Sequence, residues 1–396
     1  MKHAGVIGGS VAGCAAAQAL RRAGFTVTVF ERSTGDLRGR GAGIAIPRPL
    51  YEALAAGRDL PCVPVSRRRW VVRDDAGGTR LLWDQPSPAA AVGWPALWRG
   101  LRDTVPDHSY RTGARCAGID EDAGSVTARF EDGTRHRFDL LIGADGHDSQ
   151  VRRLLHPEPG VHIAGYRAWR GTCPLAGVPE VTGLLDDAWV TACHPHGHAV
   201  YYPIPGEPGT AGTLVNWVAY SFVPTAPAAP PGAVPRALWE DFLAASAPRL
   251  PRDLYQVLAR TDREKVSVQT VGDATVPAYG RGRIALAGDA GALSRPHASS
   301  GVLKAHQDAQ ALEAAFTREA SVPDALKHYD TARTAAANAV VALGARLGLH
   351  QVEQTPDWPS MAPADFDDWT RALLAGHSHY LYANAAARAA TERDPR

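Results

Sequence analysis

Short apolar runs flank a helical pattern of small residues at the start of the chain. Apolar residues from Ala4 to Ile7 predict a buried strand. Ser10–Ala23 predicts a helix, because its small residues recur at the spacing of one helix face and Gly24 follows where a helix commonly ends. Thr26–Phe30 alternates β-branched and apolar residues and predicts a second strand. The chain therefore opens with a β-α-β unit.

Strand patterns dominate the centre of the chain, whereas helical patterns dominate its last third. Arg67–Val72 and Thr79–Trp83 predict a hairpin. Further short strand patterns cover Gly165–Gly171, Ala188–Ala192, Ala199–Ile204, Thr213–Phe222 and Lys265–Val271. After Val302 the sequence predicts helix to about residue 350, and then a last helix near Asp367–Arg388.

These patterns predict an α/β fold with three parts. A mostly β domain interrupts an α/β domain that begins with the β-α-β unit, and a helical C-terminal region follows. The α/β domain is assigned to residues 1–66, 95–160 and 272–345. The β-rich domain is assigned to residues 67–94 and 161–271, and the helical tail to residues 346–396.

Composition indicates a globular protein and argues against several classes of partner. Of the 396 residues, 45% are hydrophobic and 21% are charged, with a net charge of +1, so we expect no nucleic-acid and no membrane partner. No apolar run reaches membrane-spanning length, and the first predicted strand begins too early for a signal peptide. The five cysteines lack a C-x-x-C spacing and are expected to be reduced, which indicates a cytoplasmic protein.

The turn inside the first β-α-β unit carries the pattern G8-x-S10-x-x-G13. Gly8 permits a tight turn, Ser10 is small enough for a pyrophosphate to approach the backbone, and Gly13 lets the helix pack on the strand. The helix N-terminus offers N–H donors to the phosphates. Glu31 ends the second strand, where a carboxylate can accept hydrogen bonds from ribose hydroxyls. The pattern predicts a dinucleotide site, so the α/β domain is expected to be a Rossmann-like nucleotide-binding domain and the β-rich domain the substrate domain. The alternative is an ordinary helix start with incidental glycines.

Two further glycine turns follow predicted strands. Leu140–Ile142 leads into Gly143-Ala144-Asp145-Gly146, and Arg283–Ala287 leads into Gly288-Asp289-Ala290. One such turn alone is a weak signal, but three in this order form a specific pattern. They resemble the FAD-dependent aromatic hydroxylase family, the single-component flavin monooxygenases typified by para-hydroxybenzoate hydroxylase, over nearly the whole chain to about residue 345.

The resemblance implies how FAD is bound. The first turn would hold the FAD pyrophosphate, Glu31 the adenosine ribose, and Asp289 a ribitol hydroxyl. The Asp145 turn would touch FAD and help NAD(P)H to bind, while Gly39–Ile44 matches the glycine loop beside the flavin ring. Arg99 matches an arginine that reaches the FAD phosphates. The cofactor-binding residues implied in this way are Gly8, Ser10, Gly13, Glu31, Arg32, Gly43, Arg99, Asp145, Asp289 and Gly301.

Within the family, several segments are similar to the 2,6-dihydroxypyridine 3-hydroxylase-like branch. These segments are Ala168–Gly171, Tyr202–Gly206, Val215–Val218 and Arg295–His297. The chain departs from the wider family after Gly288-Asp289-Ala290. A usual histidine is lost in the stretch with Gly291-Ala292, and Ser300–Lys304 takes the place of a G-x-G-x-N segment.

The resemblance implies an FAD-dependent monooxygenase that uses NADPH or NADH as a transient reductant and dioxygen through a flavin C4a-hydroperoxide. The implied substrate is an electron-rich aromatic or heteroaromatic small molecule, and the enzyme is expected to be a monomer or a homodimer. No second G-x-G-x-x-G occurs, so NAD(P)H is expected to bind transiently. A flavin-dependent reductase or dehydrogenase and a non-catalytic FAD-binding protein stay open as alternatives. Gly93–Trp98 has the wrong spacing for a flavin halogenase motif.

Three residues are candidates for catalysis. Pro296 and His297 follow Asp289 closely, where the chain is expected to pass the flavin face. A histidine there can contact the substrate or remove a proton near neutral pH, or it can only brace the loop. Tyr202 matches the family stretch before Pro-x-Pro; the alternative is a tyrosine packed within a strand.

Other polar and aromatic clusters have both a structural and a functional interpretation. The segment His194–His198 holds three alternating histidines, as a zinc site can, but its proline and glycine favour a turn, so we predict no metal site. Trp169, Arg170 and Trp217 either line an aromatic pocket or pack as core. Arg48 either approaches an anionic substrate or lies in solvent.

Overall fold

The computed structural model describes residues 1–35, 37, 42–158, 160–206, 212–224, 232–375 and 379–382. The strands are β1 His3–Ile7, β2 Thr26–Phe30, β3 Gly43–Pro47, β4 Cys62–Arg73, β5 Thr79–Gly93, β6 Tyr110–Arg111, β7 Cys116–Glu121, β8 Val126–Phe130, β9 Arg135–Phe138, β10 Leu140–Gly143, β11 His162–Pro174, β12 Ala188–His194, β13 Gly197–Pro205, β14 Thr213–Phe222, β15 Ser267–Asp273, β16 Gly280–Arg281 and β17 Ile284–Leu286. The helices are α1 Val11–Arg22, α2 Arg48–Ala55, α3 Trp94–Arg102, α4 Gln150–Leu155, α5 Thr182–Leu185, α6 Arg236–Ser246, α7 Arg252–Ala259, α8 Gly301–Arg318, α9 Val322–Gly348 and α10 Pro363–Leu374.

The chain divides into two compact units, each built from separate stretches of sequence. Unit 1 comprises Met1–Arg40, Pro95–His162 and Gly272–Ala345. Unit 2 comprises Gly41–Trp94, Ile163–Val271 and Arg346–Arg396. The sequence-based assignment placed residues 41–66 in the nucleotide-binding domain and kept residues 346–396 apart, whereas both belong to unit 2. Residues 41–66 belong to unit 2 because β3 and the start of β4, which lie in this segment, pair with β5.

The main sheet of unit 1 is parallel except at one edge. Its strand order is β16-β17-β10-β1-β2-β6, and only β16 runs antiparallel to its neighbour. The helix α1 packs against α8 through small side chains, with Ala15 and Ala19 against Ala309. Small residues let a helix approach its neighbours closely, which explains the alanine-rich pattern after the first strand. A separate antiparallel sheet contains β7, β8 and β9. This architecture is the α/β class predicted from the sequence.

Unit 2 contains an eight-stranded sheet whose two faces differ. The strand order is β15-β11-β14-β13-β12-β4-β5-β3. One face is covered by α6 and α7, and its buried aromatic residues include Trp169, Tyr201 and Trp217. The Trp169 ring stacks on Phe242 of α6 with ring centroids 4.2 Å apart. The predicted strands are present, but α6 and α7 were not predicted, because the strand patterns around them suggested a mostly β block.

The last described helix begins earlier than the sequence predicted. The expected span was Asp367–Arg388, whereas α10 covers Pro363–Leu374 and ends where Ala375 adopts a left-handed φ of 47°. Residues 376–378 and 383–388 of the expected span lie outside the described residues. Its Phe366 packs on Trp70 of β4 with ring centroids 5.0 Å apart, so burial of aromatic surface sets the position of α10. Across the described ranges, no helix combines the length and the apolarity needed to cross a membrane.

We expect Phe242→Ala to lower the free energy of unfolding by about 3–5 kcal/mol, because it leaves a cavity beside the Trp169 ring. Urea unfolding followed by circular dichroism measures the change. The control is Leu81→Ala, whose side chain is 51% exposed and which we expect to change stability by at most about 0.5 kcal/mol. Equal losses in the two variants would contradict this packing.

Candidate functional site

The three glycine turns noted in the sequence lie side by side in unit 1. They follow β1, β10 and β17, which are parallel neighbours, so the turns share the carboxyl edge of one sheet. The N–H of Ala144 donates to the carbonyl of Ile7 at 2.7 Å, and the N–H of Ala287 donates to the carbonyl of Gly143 at 2.8 Å. Backbone hydrogen bonds thus connect the second turn to the end of β1, and the start of the third turn to the end of β10.

These turns approach each other too closely for side chains. Gly8 has a φ of +107°, and a Cβ atom there would lie 2.2 Å from the carbonyl oxygen of Ala144. A Cβ on Gly13 would lie 1.8 Å from the carbonyl oxygen of Gly8, and one on Gly288 would lie 2.5 Å from the Cβ of Ala12. The sheet edge is therefore a cradle of bare main chain, which fits the pyrophosphate of a dinucleotide.

Glu31 and Gly9 anchor the first turn. The Glu31 carboxylate is buried at the end of β2 and accepts the N–H groups of Gly9 and Ser33, each at 2.9 Å. The Gly9 carbonyl accepts from the Trp98 indole and the Tyr110 hydroxyl, both at 2.9 Å. Each carboxylate oxygen keeps a second lone pair, so Glu31 can still accept from ribose hydroxyls.

Trp98 and Tyr110 were not singled out by sequence reasoning as residues of this site. Their contacts with Gly9 span about ninety to a hundred residues of chain, and no local pattern signals such a contact. A tryptophan in α3 and a tyrosine in a short edge strand look like ordinary packing residues until the tertiary structure is known.

Asp145 and Arg152 organise the second turn. The Asp145 carboxylate accepts the backbone N–H groups of Gln150 and Val151, at 2.7 and 3.2 Å, at the start of α4. Burial raises the pKa of Asp145, against the lowering effect of these hydrogen bonds. Arg152 donates to the carbonyl of Asp289 at 2.9 Å, and so joins the second turn to the third. Sequence reasoning did not single out Arg152. The predicted contact of Asp145 with FAD stays a prediction.

Buried charges surround the third turn. Lys304 of α8 is 1% exposed, and its ammonium lies 2.9 Å from Asp289 Oδ1. Asp308 accepts the N–H of Gly288 at 2.8 Å and pairs with Arg333 at 2.6 Å. Burial raises the pKa of Asp308, opposed by the positive charge of Arg333. The Asp289 side chain is 45% exposed, so its carboxylate can also accept a hydrogen bond from a ligand.

The remaining predicted cofactor residues are distributed between the two units. Ser10 is the N-cap of α1 and makes no side-chain capping bond, while Arg32 and Arg99 are half-buried in unit 1. Gly301 begins α8, also in unit 1, whereas Gly43 begins β3 in unit 2. Residues 39–41 of the predicted glycine loop lie outside the described residues.

Pro296 and His297 form a short 3₁₀ turn in unit 1. His297 is buried, and Ser299 beyond it has a left-handed φ of 46°. Arg295 pairs with Asp273 at 2.6 Å, and a Cβ on Gly344 of α9 would lie 3.1 Å from the Arg295 carbonyl oxygen. The turn is therefore braced on both sides. Whether His297 contacts the substrate stays a prediction.

Tyr202 lies in unit 2 on the sheet face opposite the aromatic core. Its hydroxyl donates to the carbonyl of Gly43 at 2.9 Å, and burial raises the pKa of Tyr202. Trp169 and Trp217 belong to the buried core, so they do not line a pocket. Arg48 is exposed and pairs with Glu52 along α2 at 3.1 Å.

The histidine-rich segment forms the predicted turn. β12 ends at His194, β13 begins at Gly197, and His196 has a left-handed φ of 61°. Burial lowers the pKa of His194 to about 4 and that of His198 to about 3. His198 Nδ1 lies 3.3 Å from the carbonyl oxygen of Gln351, so the proton sits on Nδ1. In the part of the chain that the structure describes, no three His, Cys, Asp or Glu side chains cluster as metal ligands.

Two family models match the chain. The FAD binding domain matches residues 84–343, and an NAD(P)-binding Rossmann-like domain matches residues 6–53. The second match covers the first glycine turn and Glu31. The first match covers the other two glycine turns, α8 and most of unit 2.

Several known proteins are similar over most of the chain. The 2,6-dihydroxypyridine 3-monooxygenase of Paenarthrobacter nicotinovorans is 31% identical over 351 residues, which is 82% of this chain and 85% of the relative. The 3-amino-4-hydroxybenzoate 2-monooxygenase of Streptomyces cremeus is 31% identical over 345 residues, 83% of this chain and 82% of the relative. The structure of 2,6-dihydroxypyridine-3-hydroxylase from Arthrobacter nicotinovorans superposes with a TM-score of 0.81 at 27% identity, covering 91% of this chain and 96% of the other.

We expect Gly8→Ala to weaken FAD binding by about 5- to 150-fold, because the added Cβ strains the turn by about 1–3 kcal/mol. Titration of the apoprotein with FAD, followed by quenching of flavin fluorescence, measures the dissociation constant. The control is Gly160→Ala, where no atom lies within 4 Å of the new Cβ. Unchanged FAD affinity in Gly8→Ala would argue against the cradle.

We expect stability to fall as the pH is lowered from about 6.5, the ordinary pKa of histidine, toward the folded-state value of about 3 for His198. In this window the unfolded chain binds more protons than the folded chain, at about 1.4 kcal/mol per pH unit for each such histidine. His198→Asn removes one titrating group and keeps a donor for Gln351, so its stability should depend less steeply on pH. Urea unfolding at several pH values measures the slope, with the exposed His108→Asn as control. Equal slopes in all three proteins would contradict the assignment.

Proposed function

This chain belongs to the FAD-dependent aromatic hydroxylase family, and from that premise we propose that it hydroxylates a small aromatic or heteroaromatic ring with NADPH or NADH as transient reductant. It is an FAD-dependent monooxygenase of the aromatic hydroxylase type. In the proposed reaction a ring C–H bond becomes C–OH with one atom of dioxygen. The other oxygen atom leaves as water, and NAD(P)H supplies the two electrons.

The convergence of three glycine turns at one sheet edge carries this proposal. The pyrophosphate would lie at the N-terminus of α1, beside Gly8, Ser10 and Gly13. Glu31 would accept from the adenosine ribose, and Asp289 from a ribitol hydroxyl. Bound FAD would accept electrons from NAD(P)H and activate dioxygen, by the hydroperoxide route that the family resemblance implies.

The protein's own side chains would orient the reacting groups and remove a proton from the substrate. His297 is the candidate that removes a proton from the substrate, because an imidazole can accept a proton near neutral pH. Tyr202 suits a different role, since burial raises its pKa and keeps the phenol protonated at neutral pH. Tyr202 would therefore act as a hydrogen-bond donor that holds Gly43 in place.

The relatives suggest the kind of ring that this enzyme takes. Their names give 2,6-dihydroxypyridine and 3-amino-4-hydroxybenzoate as substrates, and both compounds carry a ring hydroxyl. A ring hydroxyl donates electron density to the ring, which favours attack on an electrophilic oxygen. We therefore place hydroxylated pyridines and hydroxylated benzoates first among substrate candidates.

We expect the FAD-loaded protein to oxidise NADPH or NADH faster, by about tenfold or more, when a hydroxylated ring compound is present. The increase is measured by the loss of absorbance at 340 nm, and mass spectrometry after reaction under ¹⁸O₂ detects oxygen in the product. Gly8→Ala, tested at the same protein concentration with limiting FAD, serves as the control for cofactor dependence. Flavin reduction without ¹⁸O in any product would point instead to a reductase or dehydrogenase. Absence of any turnover would favour a non-catalytic FAD-binding role.

A further inference from the structure

The face of the unit 2 sheet that carries Tyr202 is buried, and it carries polar side chains beside an apolar cluster that includes Ala168 and Tyr220. On this face Tyr202 of β13 pairs directly with Asn216 of β14, and Asn216 pairs in turn with Thr172 of β11. Arg170 lies two residues before Thr172 on the same strand and therefore on the same face. The opposite face carries the aromatic core with Trp217.

Asn216 is the first sign of a ligand on this face. Its side chain is only 1% exposed, and its Nδ2 has no hydrogen-bond partner within the described residues. A Cβ on Gly43 would lie 3.0 Å from Asn216 Oδ1, so the amide is packed beside β3. A buried amide donor without an acceptor costs about 1–3 kcal/mol, and an acceptor from a bound molecule would remove that cost.

Arg170 is the second sign. Its Nε is buried without a hydrogen-bond partner, and no carboxylate among the described residues forms an ion pair with its guanidinium. Its positive charge acts to lower the pKa of both Tyr202 and Tyr220, against the larger effect of burial. A partly buried cation of this kind is stabilised by an anion that accepts its fixed set of N–H donors.

We propose that Arg170 and Asn216 bind an anionic oxygen of the aromatic substrate, either an ionised ring hydroxyl or a ring carboxylate. This inference rests on the proposed function, because it names the substrate class of the same enzyme. A neutral, purely apolar ring could lie against this face but would leave the N–H donors of Arg170 and Asn216 without acceptors. An ionised ring hydroxyl would also raise the electron density of the ring, as hydroxylation requires.

Direct binding measurements on the FAD-loaded protein test this site. The probes are 2,6-dihydroxypyridine with its dimethyl ether, and 3-amino-4-hydroxybenzoate with its methyl ester. Isothermal titration calorimetry gives each dissociation constant, and the flavin absorption spectrum gives the FAD content. We expect at least one parent compound to bind about tenfold or more tightly than its blocked partner. Loss of binding only in the ether identifies the ring hydroxyl as the anionic group, and loss only in the ester identifies the carboxylate.

Variants of Arg170 and Asn216 then test whether these two side chains bind the anionic oxygen. Arg170→Gln and Asn216→Leu should each weaken binding of the preferred parent compound by about 10- to 100-fold, with little effect on its blocked partner. Arg170→Lys keeps the charge and should recover part of the affinity. Arg69→Gln is the matched control, because Arg69 lies on the opposite face and is already paired with Asp84 at 3.6 Å. FAD content should stay unchanged in all variants and shows that they are folded.

The outcomes separate this inference from the proposed function. Wild-type affinity in Arg170→Gln and Asn216→Leu would overturn the site even if the enzyme hydroxylates the ring. Failure of the FAD-loaded wild type to bind either parent compound would also overturn it. Tight binding that depends on both side chains, without ¹⁸O incorporation, would keep the site and reject the hydroxylase function.

Discussion

The close approach of three backbone turns in unit 1 is the constraint on which the dinucleotide site depends. Each turn follows a parallel strand, so all three open at the same edge of the sheet. They lie so near to each other that a Cβ atom at Gly8 or Gly13 would collide with a main-chain oxygen. A ligand at this edge therefore meets main chain and the N-terminus of α1, with carboxylates such as Glu31 only at the border.

The glycine turns have few side chains to pack against their surroundings. Buried polar residues around the turns hold them in position instead. Trp98 and Tyr110 fix the carbonyl of the first turn, and Arg152 joins the second turn to the third. The buried Asp308–Arg333 pair holds the N–H of the third turn. Buried ion pairs contribute little net stability, but loss of one partner is costly. Their value here is the position they impose on the turns.

In unit 2, one sheet serves two purposes because successive side chains of a strand point to opposite faces. Tyr201 and Trp217 enter an aromatic core covered by α6 and α7, whereas their neighbours Tyr202 and Asn216 enter the opposite face. The core provides stability through apolar burial. The opposite face keeps two donors, on Asn216 and Arg170, that the described residues do not satisfy, and we interpret those donors as specificity for a polar ligand.

The sequence alone determined the β-α-β opening, the three glycine turns, most strands and the position of Glu31 at a strand end, because each depends on residues close together in the chain. The tertiary structure decided what depends on distant partners. β3 and the start of β4 joined unit 2 through pairing with β5, and Trp98 reached Gly9 across about ninety residues. Strand alternation placed Trp169 and Arg170 on opposite faces, but only the packing of α6 and α7 decided which face became core. The unsatisfied donor of Asn216 likewise became visible only when every neighbour was in place, because hydrogen-bond satisfaction is a property of the folded surroundings and not of the residue type.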